Sequence, residues 1–364
     1  MLKSKRLSFA GQTFHIGIDT HKTNWRVTLR SNAMELRTFS MNPSPEELAA
    51  HMKKNYPDGS YRSVYEAGYC GYWIHRRLEQ CGIKSIIVNP ADVPTTDKEK
   101  EQKDDPIDSR KLARELSNGS LRGIYIPDEY QESIRVLSRT LRQYSKRNTQ
   151  IKNRIKALFC FLGVDCPVDA GQRWSRALVQ KIAAIQFPQA NLTFVMQRHL
   201  CELEHVRTQL LLLLREIRRL SKNDPILKAL RSIPGIGNIT AFTLYAELVD
   251  IKRFPRLDEA ASFVGLIPST ARSNKKIVVK GITQRHNRYL RFMLIEAAWV
   301  AVRHDPVLTQ KFNDLCKYMT QQRAIVRIAK KLLNRIRAVW KSGQQYAIGT
   351  IESYPAPARS TLVK

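Results

Sequence analysis

The sequence predicts an α/β domain with a mixed sheet, followed by a mainly helical chain. In the first third, short apolar runs typical of strands alternate with helical patterns, which is the order found in α/β domains. Helical periodicity dominates after that. We expect an α/β domain at 1–127, a helical connector at 128–224, a C-terminal region at 225–345 and an irregular tail at 346–364.

The strands of the α/β domain are predicted from short apolar segments. Residues 14–19, FHIGID, are typical of a buried strand, and the alternation within 25–29 predicts a half-buried strand that pairs with it. Two further strands are predicted at 61–65 and 85–90. The domain therefore has enough strands for an open sheet.

Helix boundaries in this domain are marked by capping residues and glycines. Ser44, Pro45 and Glu47 form a capping box with proline at the first helical position, so a helix begins there. A second helix is predicted at about 72–82, where a glycine ends it, and a third at about 106–119.

Two long helical patterns make up the connector, at about 128–162 and 191–222. The second carries apolar residues spaced by threes and fours, close to a heptad seam. These residues are Met196, Leu200, Leu203, Val206, Leu210, Leu213, Ile217 and Leu220. The seam fits either a helix packed within its own domain or a coiled coil between subunits. In the C-terminal region, further helices are predicted at about 285–303, 306–318 and 322–341.

The charge balance indicates a polyanionic partner. Among 364 residues, 61 are Lys or Arg and 32 are Asp or Glu, which gives a formal net charge of +29. Nucleic acid is the expected partner. A membrane is not expected, because no apolar run approaches the ~20 residues that span a bilayer and no signal-peptide core precedes the first strand. The six scattered cysteines form no CxxC pair, which fits a reducing cytoplasm.

Four carboxylates lie at matching positions of the predicted elements. Asp19 ends the first strand, Glu66 follows a later one, and Asp105 and Asp108 open a helix with the i, i+3 spacing that puts them on one face. Asp105 also fits a helix N-cap, and a capping carboxylate keeps lone pairs for a metal. Asp104, which precedes this cap, is interpreted as a flanking solvated acid.

Strand ends and helix starts meet at one edge of an open mixed sheet, so we expect these acids to converge. Clustered carboxylates repel one another unless a hard cation neutralises them, and Mg²⁺ prefers such oxygen ligands. A metal held in this way polarises a scissile phosphate. The chain has an acid at the end of a strand, then a hairpin strand, then a second acid at a strand end, and finally acids on a helix. In a basic chain, this order is typical of an RNase H-like nuclease core.

The turn Ile233-Pro-Gly-Ile-Gly resembles that of a helix-hairpin-helix. Gly235 and Gly237 would let the backbone approach a phosphate, and the following helix would offer its free N–H groups. An ordinary tight turn between two helices is equally compatible with this pattern.

Hydroxyl and basic residues mix within 263–294. Four hydroxyl residues, Ser269, Thr270, Ser273 and Thr283, lie among cations that would hold a phosphate for attack by a loop serine. A surface loop with phosphate contacts and no chemistry has the same composition. The candidate nucleic-acid contacts are Lys22, Lys103, Arg110, Gly235, Gly237, Arg272, Lys275, Lys276, Lys280, Arg285 and Arg288.

These segments together resemble a known family. GIDTHK, YEAGYCGYWIHRRL, NP, KDDPIDSRKLA, SIPGIG, FVGLIPS and GITQRHNRYLR occur in the order seen in the DEDD transposases of the insertion sequence 110 family. The resemblance covers about residues 14–342. It implies a RuvC-like (RNase H-like) N-terminal domain, a coiled-coil connector and a mainly α C-terminal transposase domain.

The resemblance also implies the chemistry. Asp19, Glu66, Asp105 and Asp108 become an acidic tetrad that binds Mg²⁺, with Mn²⁺ as a substitute. Ser273, a few residues after the GL-x-P turn, becomes the nucleophile that joins the protein covalently to DNA. The family's site is composite, with serine and tetrad from different subunits. Here asparagine follows the serine where the family usually has glycine, and serine follows Asp108 where it usually has alanine.

The implied partners are a noncoding bridge RNA, donor and target double-stranded DNA, and further copies of the chain. The family forms dimers, with a tetramer in the synaptic complex, and acts at the bacterial or archaeal nucleoid. The expected function is therefore that of an RNA-guided DNA transposase or recombinase. Two alternatives are a RuvC-like junction nuclease that uses metal-activated water without serine chemistry, and a non-catalytic nucleic-acid scaffold. Clustered acids count against the scaffold, because it gains nothing from anions near DNA.

Overall fold

The computed structural model describes residues 7–31, 34–94, 105–169, 171–273, 276–282 and 286–349, with the backbone alone for 105–106, 269–273 and 276–282. The chain divides into two compact units, Met1–Ile126 and Pro127–Lys364, called here the N-terminal and C-terminal units. Among the described residues, no helix has the length and apolar character needed to cross a membrane.

The N-terminal unit is built on the predicted mixed sheet. Its strands are β1 (Thr13–Thr20), β2 (Trp25–Ser31), β3 (Met34–Met41), β4 (Ser60–Glu66) and β5 (Lys84–Val88). They lie in the order β3-β2-β1-β4-β5. The first three strands are antiparallel neighbours, whereas β4 runs parallel to both β1 and β5. The predicted pairing of the first two strands is confirmed.

Helices cover both faces of this sheet. They are α1 (Pro45–Asn55), α2 (Trp73–Gln80) and α3 (Asp105–Ser117). Ile16 and Ile18 of β1 share one buried cluster with apolar residues of α1 and α2. Val64 of β4 shares a second cluster with Leu112 and Leu116 of α3. Because side chains alternate along a strand, the two clusters lie on opposite faces.

The C-terminal unit begins with a long pair of helices. The pair is α4 (Glu129–Phe161) and α6 (Ala190–Ser221), with the short α5 (Arg176–Ala183) between them. Late residues of α4 pack with early residues of α6, and early ones with late ones, so the two helices are antiparallel. The buried seam residues Met196, Leu200, Leu203 and Val206 thus pack against α4 of the same chain. Of the two interpretations of the seam, the structure supports packing within the chain.

Six further helices and a small hairpin complete the unit. The helices are α7 (Pro225–Leu230), α8 (Asn238–Leu248), α9 (Leu257–Val264), α10 (Arg288–His304), α11 (Pro306–Cys316) and α12 (Gln321–Ser342). The hairpin consists of the antiparallel strands β6 (Pro268–Ser273) and β7 (Lys276–Ile282). The helices enclose one large apolar core, to which Ile134, Leu141 and Ile217 of the long pair also belong.

Two parts of the fold differ from the sequence prediction. The edge strand β3 was not predicted, because its side chains are mostly exposed and show no apolar alternation. The segment predicted as a loop around Ser273 is the β6–β7 hairpin, in which the β-branched residues of KIVV favour a strand. Strand β3 pairs with β2, and β6 pairs with β7. Neither pairing is marked by a local sequence pattern.

Candidate active site

Two of the predicted acids lie at the carboxyl ends of neighbouring parallel strands. Asp19 is the penultimate residue of β1, and Glu66 is the last residue of β4. The parallel register pairs Ile18 with Tyr65, immediately before the two acids. Both carboxylates therefore lie at the same edge of the sheet, which we call the acid edge.

Helix α3 is packed against β1 at a single glycine. A Cβ on Gly17 would lie 2.1 Å from the carbonyl oxygen of Ser109 and 2.5 Å from the backbone nitrogen of Ala113. Glycine is therefore required for this approach. Since Gly17 and Asp19 point to the same face of the strand, the contact brings the start of α3 to the face that carries Asp19.

A chain of hydroxyls also holds α3 to the sheet. Ser109 Oγ lies 2.9 Å from Thr28 Oγ1, and Thr28 Oγ1 lies 2.9 Å from Thr38 Oγ1. Ser109 and Thr28 are buried. These bonds fix the rotation of α3, and with it Asp108, the residue before Ser109.

The carboxylates of the acid edge act on one another electrostatically. Burial raises the pKa of the Glu66 carboxyl, the nearby Lys111 ammonium opposes that rise, and the charges of Asp108 and Asp19 add to it. Three of the four predicted acids are thus brought together. This arrangement costs free energy in the absence of a bound cation, because like charges in partial burial disfavour the ionised form.

Two basic residues that the sequence analysis did not assign to the site contact these acids. His21 Nε2 lies 3.1 Å from Asp19 Oδ2, and the Lys111 ammonium donates to Asp108 Oδ1 at 3.0 Å. The Lys111 side chain is only 10% exposed, whereas that of Asp108 is 49% exposed. Their spacing was the available signal: His21 follows Asp19 by two residues, and Lys111 follows Asp108 by three.

The donor chemistry of the acid edge is of the kind that Mg²⁺ prefers, since carboxylate oxygens are ligands of hard cations. Among the described side chains, no group of three His, Cys, Asp or Glu residues has the geometry to hold a metal ion. The side chain of Asp105 lies outside the description, as do Asp104 and Lys103. Asp105 was predicted to be the N-cap of α3. The helix begins at Asp105 itself, so this residue is the first of the helix and the prediction was wrong by one position.

The predicted nucleic-acid contacts of the N-terminal unit have different environments. Lys22 is exposed in the turn that follows β1. Arg110 donates from Nε to Glu35 Oε1 of β3 at 2.9 Å, with both side chains accessible. An exposed pair of this kind is weak, so a phosphate can compete with Glu35 for the guanidinium.

The two glycines of the predicted helix-hairpin-helix turn have different surroundings. Gly235 has a φ of +85°, and a Cβ there would lie 2.2 Å from the carbonyl oxygen of Ala297 in α10. Internal packing therefore explains Gly235 without a phosphate. Gly237 is the N-cap of α8, and a Cβ there would meet no atom within 4 Å. Of the two glycines, Gly237 alone has the open space that a bound phosphate needs.

Ser273 lies at the tip of the β6–β7 hairpin. It is the last residue of β6 and pairs with Lys276, while Arg272 pairs with Ile277. Lys280 follows on β7. Asn274, Lys275 and Arg285 lie outside the described residues. The backbone thus gives Ser273 basic neighbours along and across the strands.

The base of this hairpin is anchored on both sides. Gly265, with a φ of +81°, lies so close to the ring of His286 that a Cβ would be 2.3 Å from its Cγ. Asn287 caps α10 by accepting from the N–H groups of Tyr289 and Leu290 at 3.2 and 3.1 Å. The exposed Arg288, a predicted nucleic-acid contact, opens that helix.

A buried carboxylate connects this cap to the rest of the unit. Asn287 Nδ2 donates to Glu247 Oε2 at 3.0 Å, and Arg139 of α4 donates to both oxygens of Glu247 at 2.8 and 2.9 Å. Arg135 lies 4.0 Å from the same carboxylate. The side chain of Glu247 is only 5% exposed. One acid thereby joins α4, α8 and the start of α10.

Two family models of transposases match this chain. One, described as a transposase and built on the DEDD enzymes of IS110 elements, matches residues 16–162, which include all four predicted acids. The other, described as "Transposase IS116/IS110/IS902 family", matches residues 227–313, which include Ser273. Together the matches cover well over half of the chain.

Curated relatives carry the same description. The transposase for insertion sequence element IS1111A of Coxiella burnetii is 27% identical over 281 residues, which are 75% of this chain and 74% of the relative. The transposase for insertion sequence element IS1328 of Yersinia enterocolitica is 25% identical over 240 residues, 63% of this chain and 67% of the relative. With both units matched by models of one family, the chain belongs to the IS116/IS110/IS902 family of transposases and is a DNA transposase.

Proposed function

We propose that this transposase is an RNA-guided recombinase whose N-terminal unit is a RuvC-like, RNase H-like domain. The observation that carries the RuvC-like assignment is the acid edge, where the charges of Asp19 and Asp108 act on Glu66 at the ends of β1 and β4 and the start of α3. The sheet order, with an antiparallel β1–β3 meander and parallel β4 and β5, supports the same assignment. RNA guidance is what the resemblance to transposases of the insertion sequence 110 family implies.

Asp19, Glu66, Asp105 and Asp108 are the residues that would hold Mg²⁺, or Mn²⁺ in its place. When bound, the metal would neutralise charge on the scissile phosphate and polarise it. The chain's own residues prepare this site: Lys111 holds Asp108, His21 holds Asp19, and the packing at Gly17 brings α3 to the strand ends.

Ser273 is proposed as the nucleophile. Its Oγ forms a bond to the scissile phosphorus while the bond from phosphorus to a deoxyribose oxygen breaks, and the leaving oxygen takes up a proton. The hairpin tip supports this role, because Arg272 and Lys276 place cationic residues beside the serine. The partners are a noncoding bridge RNA, donor and target duplexes, and further copies of the chain, which form a dimer and a synaptic tetramer at the nucleoid.

The nucleophile is tested by trapping the protein on labelled donor DNA under denaturing conditions. Wild type is expected to form a covalent adduct that Ser273→Ala abolishes, whereas Ser269→Ala in the same hairpin retains it. An adduct in Ser273→Ala would disprove the assignment. Free 5′-phosphate products with no adduct in wild type would instead favour metal-activated water and a junction nuclease.

The acids are tested separately from the serine. Asp108→Asn is expected to lower the rate of strand transfer by about a hundredfold or more, as for other losses of charge stabilisation at a phosphate or oxyanion. Chelation of divalent metal should have a comparable effect that added Mg²⁺ reverses. Full activity in both experiments would refute the metal assignment.

RNA guidance is tested on its own. RNA that copurifies with the protein and maps to the flanks of its element would support the guide, and strand transfer after ribonuclease treatment would contradict it.

A further inference from the structure

Three cations of the long helical pair lie close to Trp174 or to one another. Lys152 Nζ of α4 lies 5.9 Å from the ring centroid of Trp174, and Arg207 of α6 donates from Nη2 to the Trp174 carbonyl oxygen at 2.6 Å. Lys156 follows Lys152 by one helical turn on the same face of α4. We call Lys152, Lys156 and Arg207 the Trp174 cluster.

The positive charge of this cluster is only partly compensated, by Glu204 near Arg207. Within the part of the chain that the structure describes, none of its three cations forms a salt bridge, and Glu204 acts on Arg207 only at longer range. Elsewhere the same two helices do pair their charges: Glu202 of α6 lies 2.9 Å from Arg147 and 3.9 Å from Arg154 of α4. Among the described residues, the Trp174 cluster is therefore a group of half-buried cations that lacks the salt bridges which Arg147 and Arg154 form on the same helix pair.

Partial burial makes this excess unfavourable. All three cations are half-buried. Burial lowers the pKa of the Lys152 ammonium, and the charges of Arg207 and Lys156 lower it further. Half-buried like charges destabilise a fold unless an anion compensates them. Three half-buried cations in one small region, one of them beside the indole of Trp174, suit an anion that enters from solvent.

We propose that the Trp174 cluster binds the phosphodiester backbone of a nucleic acid strand. Phosphate oxygens accept from Lys and Arg without regard to base sequence, so the contact would hold and orient the strand without reading it. The proposal rests on the nucleic-acid substrate of a transposase and does not depend on Ser273 or on Mg²⁺. RNA and DNA offer the same phosphodiester, and the experiment distinguishes them.

The test compares salt dependence of binding for the full-length chain. Lys152→Met with Lys156→Met removes two charges and keeps the apolar stems that pack on Trp174. Fluorescence anisotropy with a labelled RNA strand and a labelled DNA duplex gives log K against log salt concentration. If both contacts are lost, the slope should become shallower by about 1.4 for single-stranded RNA or about 1.8 for duplex DNA, at 0.7 and 0.9 per phosphate. The polymer that shows the change is the ligand.

Controls separate a site from general charge. Lys146→Met removes an exposed lysine of α4 outside the cluster and should leave the slope close to wild type. Lys152→Arg with Lys156→Arg keeps the charge and should restore the slope. A change in Lys146→Met as large as in the cluster variant would overturn the proposal.

A stability measurement gives a second, independent readout. Without nucleic acid, the methionine double variant should melt at a higher temperature than wild type, because repulsion is relieved. The single variant Lys156→Gln repeats the binding measurement with a smaller perturbation, in case the double variant misfolds. An unchanged slope for both nucleic acids in whichever of these variants folds would overturn the proposal.

Discussion

The acid edge and the β6–β7 hairpin carry the two halves of the proposed chemistry, and they are held in different ways. Asp19, Glu66 and Asp108 sit on elements packed into buried clusters on both faces of a five-stranded sheet. Ser273 sits on a two-stranded sheet, which is not stable alone. The position of the acids thus follows from core packing, whereas the position of the serine depends on anchors at the base of its hairpin.

The largest expected effect comes from removing the buried carboxylate behind the hairpin. Glu247→Ala leaves Arg135, Arg139 and Asn287 without their shared acceptor, and we expect a loss of about 3 kcal/mol in the free energy of unfolding. Denaturant titration measures this loss. Glu202→Ala, which breaks a more exposed pair with Arg147, should cost under about 1 kcal/mol. Equal losses would show that the Glu247 anchor is no stronger than a surface pair.

The arrangement of the acid edge should be lost when the close packing of α3 at Gly17 is disturbed. Gly17→Ala places a Cβ within 2.1 Å of the Ser109 carbonyl oxygen, so α3 must move away from β1. We expect a cost of about 1–3 kcal/mol in stability and a larger loss of strand-transfer rate, since Asp108 moves with α3. Gly68→Ala, whose Cβ would meet nothing closer than 4.0 Å, is the matched control. Unchanged activity in Gly17→Ala would mean that core packing does not position the acids.

The β6–β7 hairpin should loosen when Asn287, the N-cap of the helix that follows it, is replaced. Asn287→Ala deletes the acceptor for two N–H groups of α10 and the donor to Glu247, at a cost of about 1 kcal/mol. Amide exchange of residues 269–273 and 276–282 should become faster. Asp128→Ala, which removes the cap of α4, costs a similar amount but should leave the exchange of the hairpin amides unchanged. The same exchange pattern in both variants would remove the distinction drawn between anchor and core.

The smallest effect concerns charge at the acid edge. The Lys111 ammonium holds the pKa of the Glu66 carboxyl below the value that burial and its acidic neighbours would give. Lys111→Met should therefore raise that pKa further, so the carboxylate forms only at higher pH. Carbon-detected NMR titration of metal-free protein follows Glu66 directly. Lys111→Arg, which keeps the charge, is the control, and an identical titration in all three proteins would show that Lys111 does not act on Glu66.

Much of the N-terminal fold follows from local sequence patterns. The helix predicted after Ser44 begins there, with Ser44 as its N-cap, and the strand with Asp19 pairs with the next one. The acids could be selected because strand ends carry them at matching positions. Their contacts with His21 and Lys111 are also local in sequence, whereas the approach of α3 to Asp19 and Glu66 could not be predicted, since it depends on how α3 packs against β1 at Gly17.

The C-terminal unit was harder to predict, because its critical contacts join distant residues. Gly235 looked like a phosphate contact in sequence, yet its neighbour is the backbone of Ala297 in another helix. Glu247 carries no local signal, since Arg139 and Asn287 lie far from it along the chain. Spacing predicts which residues share a face of one helix, but not which helix meets that face.

The hydroxyl chain from Ser109 through Thr28 to Thr38 has a consequence for evolution. Thr28, in the middle, contacts the other two hydroxyls, so an apolar residue in its place removes one partner from Ser109 and one from Thr38. Substitution at one of these positions should therefore select for change at the others. Among relatives, the three sites are expected to vary together, with an alanine after the helix acid accompanied by an apolar residue on the second strand.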